Sequence, residues 1–214
     1  MTDQTNSNGT IVVSGTGRVA VDPDVADLRL GVAVSRPTVE AARTAAAEAM
    51  TAILDAVVSA GVARRDVRTT LLSVQPRYDF RDGKAPTLVG YDLSNIVEVT
   101  ARDLANLGAV VDGALTAGAT SLDGLSFRID DPREAERAAR IAAVCEARSR
   151  AEILAEAAGV ALAGVADIVE GGPPPTWPRP KAAQMLRAAA DAGTPVEAGT
   201  TEISVTVTVT FRIA

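Results

Sequence analysis

Histidine is absent from the 214 residues, and cysteine occurs once, at Cys145. The chain therefore lacks the usual imidazole base, a Ser-His-Asp triad, a Cys-His dyad and cysteine-cluster metal or iron–sulfur ligation of its own. What remains is the chemistry of carboxylates and glycines. Asp22, Asp24 and Asp27 could offer oxygen ligands to Ca²⁺ or Mg²⁺. Their spacing is not that of a calcium loop, however, and acids flanking Pro23 are what a turn requires. Gly15-Thr16-Gly17-Arg18 resembles a phosphate cradle in composition only. It lies inside a strand pattern, no helix follows it, and the P-loop lysine is missing, so a bulge or a close backbone crossing is the expectation. Tyr91 and Asn95 share one strand face and line either a pocket or a packing surface. Asp130 and Asp131 read as a helix cap rather than as paired acids, and Cys145, among small residues in a helical pattern, as a small packing residue. No catalytic residue, metal site or cofactor is expected, and the chain is read as a non-enzyme.

The segment Gly172 to Pro180, GGPPPTWPRP with its flanking Gly171, is different. Prolines favour a stiff extended backbone, and Trp177 is the one tryptophan. An aromatic anchor on such an arm either docks a partner subunit or packs back on its own domain. The residues expected to make oligomer or partner contacts are Pro174, Pro175, Trp177 and Pro178, with Met185 and Leu186 in the short helical run that follows.

These features need a scaffold. Residues 11–21 read as a strand containing glycines, and residues 26–34 as a second with clean alternation. The Asp22-Pro23-Asp24 turn between them suggests a hairpin. A helix from Pro37-Thr38 to about Ala60 carries Ala42, Ala46, Ala49, Ile53 and Val57 at helical spacing and stops at Gly61. Strands over 66–79 and 87–101 flank a polar loop, and Pro76 suits an edge or a bulge. A helix over about 104–117, a strand over 121–129, a long helix from Asp131 to Gly159, a short strand over 165–169 and a strand over 200–213 complete the chain. The long helix is rich in alanine, and its arginines and glutamates form a charged, ion-paired side. In the last strand Ile203, Val205, Val207, Val209, Phe211 and Ile213 alternate with threonines, and its edge is expected to serve as a contact in self-assembly. The sum is an α+β fold: a mainly antiparallel sheet of about seven strands with three helices packed on one face. Residues 1–9 are expected to be disordered, and residues 10–214 to form one domain with an arm over about 171–198.

The net charge of −6 and aromatics at 3% argue against nucleic acid as a partner, which needs clustered cations and stacking platforms. No window reaches the length of a membrane span. The opening MTDQTNSNGT lacks the apolar run of a signal peptide, so the chain as written is expected in the cytoplasm.

One family has these residues in this order. Gly15-Thr16-Gly17 with Pro23-Asp24 and Ala26, then Val74-Gln75-Pro76-Arg77-Tyr78 with Gly90-Tyr91 and Asn95, resemble the two leading motifs of the bacterial SIMPL-domain (DUF541) family. Phe127 and the helix residues Ala139-Arg140, Ala143, Ala147, Ala151, Leu154-Ala155 and Gly159 are similar to its hallmark helix. The resemblance spans about residues 10–213. It implies the fold, an exported envelope location in many members, and assembly of some into hollow rings; it brings no catalytic residues. The expected function is self-assembly into a homo-oligomer without catalysis. The alternative is a module binding a small molecule or a protein in an envelope or oxidative stress response.

Overall fold

The computed structural model describes residues 9–80, 85–171 and 196–214. In chain order the elements are β1 (Thr10–Val21), β2 (Val25–Arg36), α1 (Val39–Ser59), β3 (Val67–Asp79), β4 (Thr87–Ala101), α2 (Leu107–Thr116), β5 (Ser121–Arg128), α3 (Arg133–Ala158), β6 (Leu162–Glu170) and β7 (Thr201–Ile213). The fold is α+β, and every strand pair is antiparallel. The seven strands divide between two sheets, ordered β1-β7-β6 and β3-β4-β2-β5, in two compact units.

The three-stranded unit is built on an alanine contact. Ala139, Ala143, Ala147, Ala151 and Ala155 of α3 are buried at strict four-residue spacing. Three of them pack with Val207, Val209 and Phe211 of β7. On β1, Gly15 and Gly17 lie against this stripe. A Cβ on Gly15 would sit 2.5 Å from the Ala147 amide nitrogen, and one on Gly17 2.6 Å from that of Ala143. Side chains this small let helix and sheet backbones approach closely, which is the close crossing expected at this glycine pair. Gly159 closes α3 in the left-handed region at φ 68°. The helix starts one turn-residue later than its sequence suggests, at Arg133. Pro132 is its cap position, and Asp131 accepts the Arg133 amide.

In the four-stranded unit β2 is central. Ala26, Leu28, Leu30 and Val32 alternate inward against Ala42, Ala46, Met50, Ile53 and Val57 of α1, with Leu93, Val97 and Val99 of β4 and Leu107, Val110 and Ala114 of α2 in the same core. The Thr38 hydroxyl accepts the Ala41 amide at 3.2 Å and fixes the start of α1.

Three expectations fail here. β1 and β2 do not form a hairpin: β1 pairs with β7, and β2 with β4 and β5. The glycines of β1 need the alanine stripe of α3, whereas the bulky side chains of β2 need α1, so the turn at Pro23 moves the chain from one sheet to the other. β7 is flanked by β1 and β6 and so has no open edge; its alternation is the same for a central strand as for an edge. Cys145 is exposed, with Ile153, because the four-residue stripe turns the other side of α3 toward solvent.

Candidate functional site

The side of the four-stranded sheet that carries no helix presents its polar residues in cross-strand pairs. The register places Asp27 opposite Thr100 and Ser126, and Glu98 opposite Arg29 and Arg68. A cleft of about 390 Å³ opens here between Asp27, Arg29, Glu98, Asp123, Gly124, Leu125 and Ser126. Its acids are already engaged. Asp27 accepts from Thr100 at 2.6 Å and from Arg128 at 2.6 Å. Glu98 accepts from Arg68 at 2.6 Å. Arg128 also reaches Asp130 at 2.8 Å, and Arg102 bridges Asp130 at 2.6 Å and Asp66 at 3.2 Å.

These contacts set the protonation states. Burial pushes Asp27 up, but the hydrogen bonds from Arg128 and Thr100 and the nearby guanidinium charges outweigh it and hold the carboxyl below 3.8. Hydrogen bonds from Arg102 and Arg128 hold Asp130 low, and Arg128 is raised chiefly by Asp27. The Asp27 and Asp130 carboxylates are thus paired with arginines, an arrangement for holding strands together rather than for moving protons.

The other acids singled out by sequence find structural partners. Asp24 accepts the Asp130 amide at 2.7 Å, and Asp22 accepts the Thr200 hydroxyl at 3.2 Å. Asp22, Asp24 and Asp27 are turn and strand-pairing residues. Among the described residues no three His, Cys, Asp or Glu side chains group as metal ligands. Tyr91 and Asn95 lie opposite Pro76 and Leu72 on β3. Tyr91 is half-buried, and the Asn95 Oδ1 is buried without a hydrogen-bond partner.

Two of the other clefts are lined by polar or charged side chains. One, about 410 Å³, is lined by Ser35, Ser73, Gln75, Asp92 and Ser94, with Ser35 donating to Asp92 at 2.5 Å. The other, about 320 Å³, lies in the three-stranded unit. Val13, Ile153 and Leu154 give it an apolar lining, and Arg150 supplies a cation. Its charged neighbours guard a sheet edge: Glu146 accepts the Thr16 amide of β1, and Arg150 donates to the Ser14 carbonyl at 2.8 Å. Sequence reasoning placed these two side chains on the ion-paired side of α3 and had no signal for their backbone targets. The contact residues expected on the arm, Pro174, Pro175, Trp177, Pro178, Met185 and Leu186, lie outside the described residues.

The glycine pair packed on an alanine helix and the Pro76–Tyr91 hairpin are thus each in place, one in each unit. The model of the SIMPL family, a protein of unknown function (DUF541), matches residues 11–211. The chain belongs to the SIMPL family. This SIMPL chain is 39% identical over 211 residues to the 26 kDa periplasmic immunogenic protein of Brucella melitensis, covering 95% of itself and 84% of that protein. It is 35% identical over 145 residues to the uncharacterized protein YggE of Escherichia coli, 68% of this chain and 58% of that one. YggE of Edwardsiella ictaluri is 31% identical over 156 residues, covering 72% and 65%. Among the described residues of the SIMPL chain no helix is long and apolar enough to cross a membrane.

Proposed function

We propose that this SIMPL protein acts by self-assembly into a homo-oligomer rather than by catalysis, with residues 10–214 serving as one functional domain. The observation that supports this reading is exposed apolar surface. Seventeen large hydrophobic side chains among the described residues are at least 38% exposed, most of them on β3–β4, α3 and β6. Exposed apolar surface of that kind is what association buries. The engaged state of the acids around Asp27 is consistent with it. Light scattering on a sizing column tests the reading: a discrete mass of several chains is expected, and a monomer at all concentrations overturns it. The same measurement on a chain lacking residues 173–195 shows whether the proline-bearing segment with Trp177 contributes; a lower mass is expected.

Similarity to the periplasmic immunogenic protein of Brucella supports a site of action in the periplasm. Fractionation of the native host would find the protein in the envelope, in place of the cytoplasm that the opening residues suggest. A second reading, a binding module in an envelope or oxidative stress response, is favoured by one feature: the apolar cleft with Arg150 at its rim. Such a cleft suits a small apolar acid. A fatty-acid panel that left the melting temperature unchanged would dismiss it.

A further inference from the structure

The helix layer of the four-stranded unit stops short of its first strand. α1 packs on β2 and β4, whereas β3, which borders the sheet, keeps large apolar side chains exposed on that same side. The register identifies them. Leu72 lies opposite Asn95, Val74 opposite Leu93 and Pro76 opposite Tyr91. Leu93 is buried in the core with α1, and cross-strand partners share a face, so Leu72, Val74 and Pro76 look toward the helix layer. The register shift beyond Arg77 falls on β4, where Val89 is the extra residue. Alternation along β3 therefore continues to Tyr78 on the same side. Leu72 is 67% exposed, Val74 and Tyr78 are also exposed, and Phe80, its ring 6.4 Å from that of Tyr78, extends the strip. Leu71 points to the opposite side and is not part of it.

Size and place favour one occupant. The strip from Leu72 to Tyr78 is about 20 Å long, and β3 lies two strand spacings, about 10 Å, from β2. That is the distance between packed helices, so a short helix along β3 would fit beside α1. Residues 182–192, AAQMLRAAADA, would span about 16 Å as a helix. On a helical wheel Ala182, Met185, Leu186 and Ala189 form an apolar stripe, and Gln184, Arg187 and Asp191 a polar one. Where this stretch leads is also fixed: Val196 packs against the core of the four-stranded unit. Met185 can lie about 25 Å from Val196, a span wider than the four-stranded sheet at about 15 Å.

We infer that residues 182–192 dock on the β3 strip of their own chain, with Met185 and Leu186 against Leu72 and Val74, and extend the helix layer over the last strand of the sheet. A segment tethered at Val196 meets the strip at a far higher effective concentration than a second copy does. Met185 and Leu186, expected from sequence to contact a partner, then face their own unit. The proline stretch with Trp177 is left for that role, and the exposed side chains of α3 and β6 carry the association proposed above. The inference does not depend on the oligomeric state.

The test uses the full chain with Cys145→Ser, which removes the native thiol. Leu72→Cys is combined with Met185→Cys and, separately, with Leu186→Cys. Mild oxidation is expected to close a disulfide within one chain in at least one pair, read as loss of both free thiols at the mass of a single denatured chain. Val12→Cys with Leu186→Cys, exposed but on β1, is expected to stay reduced. Should Leu72→Cys misfold by circular dichroism, Val74→Cys replaces it. Trypsin gives an independent readout, since the Arg187–Ala188 bond lies within the docked stretch. Leu72→Lys is expected to speed cleavage there about ten-fold with the fold retained, because proteolysis follows the opened fraction. Disulfides formed only between chains assign the strip to a second copy and overturn the inference, as does the absence of any disulfide. Equal oxidation of the Val12 pair marks random collision and overturns it too. Cleavage at Arg187 that Leu72→Lys leaves unchanged likewise overturns it.

Discussion

At the scale of single residues the structure turns on two glycines and one aspartate. Gly17 faces α3 where a Cβ would meet the backbone of Ala139 and Ala143, and backbone cannot move aside as a side-chain tip can. Gly17→Ala is therefore expected to push α3 off the sheet and destabilise the three-stranded unit by about 3 kcal/mol, the upper end of overpacking costs. A lowered urea midpoint for the α3 amides in hydrogen exchange, with those of α1 unchanged, would show it. Asp27 is held below its ordinary value in the folded chain. A depressed carboxyl stabilises fully above its unfolded pKa, near 4, and that contribution fades as pH falls through the folded value. The acid limb of the stability curve below about pH 4 should accordingly be shallower in Asp27→Asn, while both proteins share the limb set by Asp131, whose carboxyl Arg133 holds at about 2. Equal limbs would show that the Arg128 pairing adds nothing. The glycine crossing was legible in the sequence because glycine in a strand has few other reasons to be there. The partners of Asp27 were not, since Arg128 stands 101 positions away and spacing carries no trace of that contact.

At the scale of elements, propensity and periodicity located every described strand and helix to within a few residues and the pairing of β3 with β4 across their polar loop, whereas the partner of β1 eluded them. β1 and β2 are neighbours in sequence with a tight turn between, the usual mark of a hairpin, yet each completes a different sheet. What separates them is side-chain size: Gly15 and Gly17 fit only an alanine helix, and Leu28 and Leu30 only a thick core. The α3 stripe shows the same logic. Its buried set steps by four residues, which winds slowly around the helix and follows the twist of the sheet below. Ala147→Leu should cost about 3 kcal/mol, whereas Ile141→Ala, on the exposed side, should leave the thermal midpoint within a degree or two. The edge guard of β1 gives a third expectation. Glu146→Ala removes the acceptor of the Thr16 amide and costs about 1 kcal/mol. It also opens a strand edge, so light scattering on mild heating should rise earlier than in the parent. An unchanged onset would mean that β1 is protected by something else.

At the scale of the whole molecule, residues 23–130 form one unit almost alone, and the other is assembled from both ends of the chain. The ends of the inserted stretch are clasped, with the Asp24 amide donating to the Arg128 carbonyl at 3.3 Å and the Asp130 amide to the Asp24 carboxylate at 2.7 Å. The four-stranded unit should thus resist protease after Gly17→Ala has loosened the other, leaving a stable core of about residues 23–130; simultaneous loss of both would contradict this. The pairing of β1 with β7 also sets an order of events in time. Synthesis runs from the N-terminus, so β1 emerges first and its partner last, with 179 residues between Val21 and Thr201, which are paired to each other. The inserted unit can fold while the ribosome is still working. β1 and the bare alanine stripe of α3 must wait, unsheltered, until the final strand is released. A pause in translation before residue 201 would hold the chain half-built, its first-made strand still searching for the last.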